Sequence, residues 1–543
     1  MRVPDPVRRA LGRARSSSPA PSRPSAIRPL EPLPPASPFP KGVYLYCVNA
    51  LPRKFAGRSA SIFAKMRTFA RHGVTDQVLV TFLHSSELAD IEHGLRQRGV
   101  IDDSMRLVCL HDHYPDDTRY DGPEIVHPVD EPDLHWIADD DQPVYRYFDA
   151  EGTYRLYKRF DHAGRLIVRD WFNPNRGRTL REEFRPNGTL RRRVHMDLHH
   201  NLPRQEIHYR ADQTPAFNIW WTVDPDTLLL EVDRVTRFDD QGRPASVQHS
   251  LDEINHLCLD RLIGDSPAFV TSEDRLVDRY LIGYDNPRAK RLFVIHNAHL
   301  KEPYTDLQAV RPTFRPVFEA RKKVDAVVFL TATQRGEAEV RYGRTPTFRV
   351  VPHAARPAEP VEGVERDPNL VIMMARLDTQ KQVDHAIAAF ARVHEKLPQA
   401  RLEIYGTGPD QGQLRQLIAD RGLRKVVTLK GFTTEPGLAY QRASLCLMTS
   451  RFEGAPLTLL EAMSYGCPVI SYDLRYGPAD VIADGVNGFL VPYGDRQAMA
   501  DRIVAVLPDR QLLARAGAAA IARAADFDQE AFAARWAALL NEL

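Results

Sequence analysis

Glu453 and Glu461 stand eight residues apart in Ser450-Arg-Phe-Glu-Gly-Ala-Pro-Leu-Thr-Leu-Leu-Glu-Ala-Met-Ser464. Paired carboxylates can do acid–base work, but the rest of the segment points elsewhere. Pro456 has the fixed φ and missing N–H that suit the first turn of a helix, so a helix is predicted to begin there. Its first amides, on Leu457 and Thr458, have no carbonyl to serve inside the helix, and Gly454 lets a ligand approach the backbone. A phosphate fits in front of them without a side-chain cation. Neither carboxylate suits a phosphate, so Glu453 and Glu461 are expected to accept hydrogen bonds from sugar hydroxyls on either side of a diphosphate. Taken alone, such a pair is more often a solvated loop acid and an ion-paired helix acid.

Arg376 and Lys381 stand five apart in Met374-Ala-Arg-Leu-Asp-Thr-Gln-Lys-Gln382, just after an apolar run. Two fixed cations at a strand end can neutralise the charge that grows on a leaving diphosphate, which a metal would otherwise do. His296 follows Leu292-Phe-Val-Ile295 and opens His296-Asn-Ala-His299. It can bind a sugar hydroxyl or polarise a reacting centre through its carbonyl. No Asp or Glu nearby in sequence completes a site with the two histidines, so no metal and no cofactor is expected. Gly406-Thr-Gly408 has its third glycine misplaced for a dinucleotide fingerprint and reads as a turn beside a nucleotide pocket. The acidic run Asp139-Asp-Asp141 reads as a solvated loop.

These residues need strand ends to hold them. From Gly42 the pattern runs strand, glycine-containing loop, helix, strand, which starts a βαβ unit. Short apolar runs near residues 292–296 and 326–330 continue it, and a second set between 370 and 472 makes a second doubly wound domain. Between them, turns at Asp149-Ala-Glu-Gly152, Asp161-His-Ala-Gly164, Pro186-Asn-Gly188 and Asp239-Asp-Gln-Gly242 punctuate alternating strands, a β-meander. The domains expected are 41–100 with 259–350, an insertion over 101–258, a second domain over 351–525, and a helix over 526–543 returning to the first. Residues 1–40, rich in Pro, Ser and Arg, are expected to be a disordered tail. Along the meander Arg155, Lys158, Arg159, Arg178, Arg181 and Arg191 to Arg193 suggest a basic face, either solvated or holding a polyanionic chain.

The Glu453 segment, with Gly466-Cys-Pro-Val-Ile470 after it, resembles the E-x7-E motif of family-4 retaining glycosyltransferases. The resemblance covers most of residues 290–500 and, more weakly, 42–80. Arg376 and Lys381 stand at that family's Arg/Lys spacing, and His296 where such enzymes present a histidine near the transferred sugar. Gly57 stands where the family carries a Gly-Gly loop, with Ala56 in place of the first glycine. Tyr472-Asp-Leu-Arg-Tyr-Gly-Pro-Ala-Asp-Val-Ile482 is similar to the loop of bacterial α-glycosyltransferases that decorate poly(glycerol phosphate) or poly(ribitol phosphate) teichoic acids, and of enzymes that glycosylate serine-rich adhesins. The resemblance implies a GT-B fold: α/β, two doubly wound Rossmann-like domains with a β-meander insertion in the first. It implies a UDP-sugar donor, glucose or N-acetylglucosamine transferred with retention to a polyol-phosphate polymer such as wall teichoic acid. Arg376, Lys381 and the amides of Gly57, Leu457 and Thr458 would hold the diphosphate, Glu453 the donor sugar and Glu461 the ribose. Alternatives are a protein or small glycan acceptor, or a catalytically silent glycan-binding subunit.

Composition narrows the partners. The 543 residues hold 43% hydrophobic and 27% charged residues with a net charge of +2, giving no global reason to expect nucleic acid. Five cysteines without C-x-x-C spacing fit a reducing compartment and are read as packing residues. The basic start has no apolar stretch of a signal peptide, so the chain is expected to be cytoplasmic, with peripheral contact at an anionic membrane face open to the Arg-rich tail. Homo-oligomerisation or acceptor binding through the insertion is the further expectation.

Overall fold

Runs of Val, Ile, Leu and Phe buried on both faces form the parallel strands, as in Val43–Val48 and Ala326–Phe329, where every residue is buried. The computed structural model describes residues 30–53, 57–114, 122–140, 142–224 and 229–543. Most of the expected tail, residues 54–56 of the loop before Gly57, and Asp141 lie outside the described residues.

The chain divides into two units. The first, Glu31–Asn297 with Pro312–Pro357 and Ala525–Leu543, contains a seven-stranded parallel sheet. Its order is Phe348–Val350, Ala326–Phe329, Ala289–Ile295, Ala268–Ser272, Val43–Val48, Gln77–Thr81, Met105–Cys109. The helix Gln529–Glu542 belongs to the same unit, where Trp536 packs edge-on to Phe69. The second unit, Ala358–Ala524 with the short segment Ala298–Arg311, contains a six-stranded parallel sheet. Its order is Val427–Gly431, Arg401–Tyr405, Leu370–Met374, Leu445–Met448, Val469–Tyr472, Phe489–Val491. Val371, Ile387, Phe390, Ile404, Leu447, Ile470 and Ile503 fill its core. In both sheets the order reverses beside a central strand, and loops at the carboxyl ends of such strands are where ligands bind.

The insertion is a ten-stranded antiparallel meander from His135–Ala138 to Pro244–Gln248, each strand paired with the next in sequence. The glycine amides of Gly152, Gly164 and Gly242 donate to the carbonyls of Asp149, Asp161 and Asp239, closing three of the turns legible in the sequence. Two expectations need correction. The insertion does not begin at residue 101, because Met105–Cys109 pairs in parallel with Gln77–Thr81 as an edge strand of the α/β sheet. As an edge strand it alternates buried and half-buried residues, which resembles a meander strand in sequence.

The basic face also dissolves into ion pairs. Lys158 is 1% exposed and pairs with Glu131 at 2.7 Å, Arg159 with Asp90 at 3.3 Å, and Arg178 and Arg181 share Asp170. Arg191 pairs with Asp112, Arg192 with Glu183 and Glu206, Arg193 with Glu182, and Arg155 lies 3.8 Å from Asp149. Period-two alternation puts the cations on faces, but most of the acids that neutralise them come from neighbouring strands (Asp170, Glu182, Glu183, Glu206) or from outside the meander strands (Asp90, Asp112, Glu131), beyond the reach of local pattern. Among the described residues, no helix is long and apolar enough to cross a membrane.

Candidate active site

In the C-terminal unit the loop after Leu370–Met374 and the loop after Leu445–Met448 are stitched together by hydrogen bonds. The Arg451 amide donates to the Gln380 carbonyl at 2.7 Å, Gln380 Nε2 to the Phe452 carbonyl, and Thr449 Oγ1 to the carbonyls of Lys381 and Gln382. The stitching brings Lys381 to Glu453, with Nζ 2.6 Å from Oε1 and both side chains mostly buried. A third loop braces Glu453 from behind: its amide donates to the Arg475 carbonyl, and Tyr476 donates back to the Glu453 carbonyl. That loop needs Gly477, since a Cβ there would stand 2.3 Å from Cδ of Pro456.

The helix runs Leu457–Ser464, with Pro456 in extended conformation as its cap rather than inside its first turn. The proline ring has removed one donor, and the Leu457 and Thr458 amides open the helix beside the buried Gly454. Glu461 accepts from the Tyr440 hydroxyl at 3.4 Å. Arg376 reaches Asp378 at 3.0 Å and Gln380 at 3.4 Å while remaining largely exposed. Arg376, Lys381, Glu453, Gly454, Leu457, Thr458 and Glu461 thus lie on two adjoining loops and one helix of this unit.

Gly406 plays a different part from the one its motif suggests. Its φ is +133°, and a Cβ would stand 1.9 Å from the Ala375 carbonyl oxygen, so the glycine lets one strand-end loop cross another next to Arg376. Gly406→Ala is expected to cost about 2–3 kcal/mol from strain and overlap, read from the urea midpoint. Gly412→Ala, at a helix position with open space around it, is the control and is expected to stabilise by about 0.5–1 kcal/mol.

His296 and Gly57 belong to the other unit. Gly57 caps the helix Arg58–Arg71 with φ +57° and ψ −117°, and the neighbouring Arg58 pairs with Asp274 at 2.9 Å. His296 Nε2 lies 2.5 Å from Glu273 Oε2, and the other oxygen of Glu273 takes Lys65 Nζ. Lys65 also sits over the rings of Tyr46 and Trp536, and His353 stacks on His296 with centroids 5.7 Å apart. Burial favours protonated Glu273, but Lys65 and His296 outweigh it and hold the carboxyl down to about 2. Burial holds His296 and His353 below the usual histidine range, His353 at about 3 with His296 as a further cause. His296 is therefore neutral near pH 7, with its ring fixed by a carboxylate, as a hydrogen-bonding histidine requires.

Glu273, Lys65 and His353 escaped the sequence reading. The signal was present for Glu273, which follows directly on the strand Ala268–Ser272. His299, grouped with His296 by sequence, belongs to the C-terminal unit, where it stacks parallel to Tyr476 at 5.6 Å. Burial, with Arg475 adding to it, pushes its imidazole down to about 3.

Two parallel doubly wound units, one with strand-end cations beside a Glu-x7-Glu loop and helix, define a glycosyltransferase of GT-B type. The sequence profile of the glycosyl transferases group 1 family matches residues 356–523. The chain is 25% identical over 517 residues to the poly(glycerol-phosphate) alpha-glucosyltransferase of Bacillus subtilis (strain 168), covering 92% of this chain and 75% of that one. It is 23% identical over 505 residues to the poly(ribitol-phosphate) alpha-N-acetylglucosaminyltransferase of Staphylococcus aureus (strain COL), covering 91% and 98%. Its fold matches a crystal structure of a variant of S. aureus TarM in complex with fondaparinux, alpha-GlcNAc-glycerol and UDP. There the TM-score is 0.75 at 20% identity, with 92% of this chain and all of that one covered.

Proposed function

We propose that the chain transfers glucose or N-acetylglucosamine from a UDP-sugar, with retained configuration, to a polyol-phosphate polymer such as wall teichoic acid. The observation that carries this is similarity to a poly(glycerol-phosphate) glucosyltransferase along 92% of the chain, meander included, rather than in the donor-binding unit alone. The ion-paired meander face lends no support to a broad electrostatic acceptor surface, so acceptor recognition rests on local contacts.

In this reading Lys381 and Arg376, with the amides of Leu457 and Thr458, take the diphosphate. Lys381 is held by Glu453 until the donor arrives, and the exposed Arg376 exchanges Asp378 for the diphosphate. Glu453 then accepts donor-sugar hydroxyls and Glu461 ribose hydroxyls, while Gly454 leaves room for the phosphates. In the N-terminal unit Gly57 offers its amide to phosphate, and neutral His296 offers a hydrogen bond to the transferred sugar. Glu453 passes from Lys381 to the donor-sugar hydroxyls and Glu273 stays engaged by Lys65 and His296, so in this reading neither carboxylate serves as a nucleophile. The leaving phosphate oxygen takes the acceptor proton on the same face, a step stabilised by the cations around it. No metal takes part in this transfer as proposed.

UDP release measured with UDP-glucose and UDP-N-acetylglucosamine, each offered poly(glycerol phosphate), poly(ribitol phosphate) and free sugars, tests the reading. One donor is expected to give release that depends on a polyol-phosphate polymer. Release stimulated equally by free sugars would overturn the acceptor class, and no release with any donor would overturn the transferase.

A further inference from the structure

Cys109 ends the strand Met105–Cys109, and Asp112 lies in the turn Leu110–His113 that follows. His84 comes just after the adjacent parallel strand Gln77–Thr81. Two strand ends therefore deliver three ligand types to one place. His84 Nδ1 lies 3.5 Å from Cys109 Sγ and 3.9 Å from Asp112 Oδ1, and all three atoms lie within 4.8 Å of one another. Tetrahedral zinc, with bonds of about 2.0–2.3 Å, holds its ligand atoms roughly 3.3–3.6 Å apart. The His–Cys separation already fits, and a small rotation of Asp112 closes the rest.

The surroundings are those of a metal ligand set. Glu183 lies 2.5 Å from His84 Nε2, which orients the ring with Nδ1 facing Cys109 and Asp112. Arg192 fixes Glu183 at 3.1 Å, and Arg191 takes Asp112 Oδ2 at 2.7 Å, leaving Oδ1 for the cluster. Asp112 also borders a cavity of about 40 Å³ shared with His111, Tyr114, Arg191 and His208, so water can reach its carboxylate.

We propose that His84, Cys109 and Asp112 bind one zinc ion, with Glu183 as the positioning partner of His84. A nitrogen, sulfur and oxygen set suits a borderline-soft, tetrahedral ion. Binding displaces the thiol proton of Cys109 and any proton on His84 Nδ1 to solvent, and the ion ties the last two strands of the parallel sheet, through Glu183, to the meander strand Arg178–Phe184. The spacing of these ligands matches no short motif, so Cys109 passes for a packing residue in sequence. None of these residues is assigned to sugar transfer, so the inference stands apart from the donor site.

The full chain, stripped with a chelator and dialysed against zinc, is expected to hold about one ion per chain by mass spectrometry of the metal. Cobalt in its place is expected to give a thiolate charge-transfer band. Cys109→Ser should lose that band, and Asp112→Asn should weaken binding at least about 10-fold. Circular dichroism reports whether each variant folds, and if Cys109→Ser does not, the wild-type cobalt spectrum and Asp112→Asn decide. Zinc below about one-tenth of an ion per chain, cobalt without a thiolate band, or unchanged affinity in Asp112→Asn overturns the proposal. Metal content is read without any transferase assay, so neither result bears on the transferase.

Discussion

Lys381→Ala is expected to lower the rate of sugar transfer by about 10²–10³-fold while leaving a folded protein. The lysine sits on a loop held by Thr449 and Gln380, and its backbone contacts do not involve the side chain. Its ammonium is aimed at Glu453, and in the proposed reaction it moves to the diphosphate as negative charge builds there. A charge that matters more in the transition state than in the ground state shows in kcat as well as kcat/KM. Initial rates of UDP release for wild type, Lys381→Ala and Lys381→Arg measure this, with thermal midpoints as the fold control. Lys381→Arg should recover part of the rate by restoring charge without the same reach. Near-normal turnover in Lys381→Ala would remove the cation from the mechanism.

Glu273→Ala is expected to lose about 3–5 kcal/mol of stability, because it strands the ammonium of Lys65 in the interior. Lys65 and Glu273 are 6% and 0% exposed in their side chains. The two partners answer differently: Glu273 is strongly favoured as carboxylate, whereas burial lowers the affinity of Lys65 for its proton despite the attraction of Glu273. Forming the pair therefore gains little, while breaking it costs much, and Lys65→Met with Glu273→Leu should recover most of the loss. Urea unfolding of the single and double variants measures this. A Glu273→Ala loss below about 1 kcal/mol would contradict the buried pair.

The same cluster fixes a pH response. A carboxyl held down to about 2 contributes stability that is whole above its unfolded value of about 4.3 and is lost as pH falls from there through about 2. His296 and His353, also held down, remain neutral in the folded chain while the unfolded chain takes up protons below about pH 6.5. The loss therefore begins near pH 6.5 and steepens below about 4.3. In Glu273→Gln the lower phase should disappear.

Sequence carried the parts of the fold whose signal is local. Fully buried runs such as Val43–Val48 and Leu445–Met448 announce parallel strands, and Asp-x-x-Gly turns announce the meander. The site was legible where chemistry follows a strand end within one segment, as with Lys381 and the helix behind Pro456. It was illegible where the partner comes from elsewhere in the chain. Nothing local tells that Lys381 closes on Glu453, that Glu273 seats His296, or that Asp170 and Glu182 neutralise the meander arginines. Pairing of that kind is set by sheet register, in which one residue of slip reverses every face.

Retaining transfer of a hexose to a polyol-phosphate polymer is tested by incubating the full chain with carbon-13-labelled UDP-sugar and poly(glycerol phosphate), followed by NMR of the recovered polymer. Label is expected bound to the polymer through an α linkage, matching the donor. A β linkage would contradict retention, and label released only as free sugar would contradict transfer to the polymer.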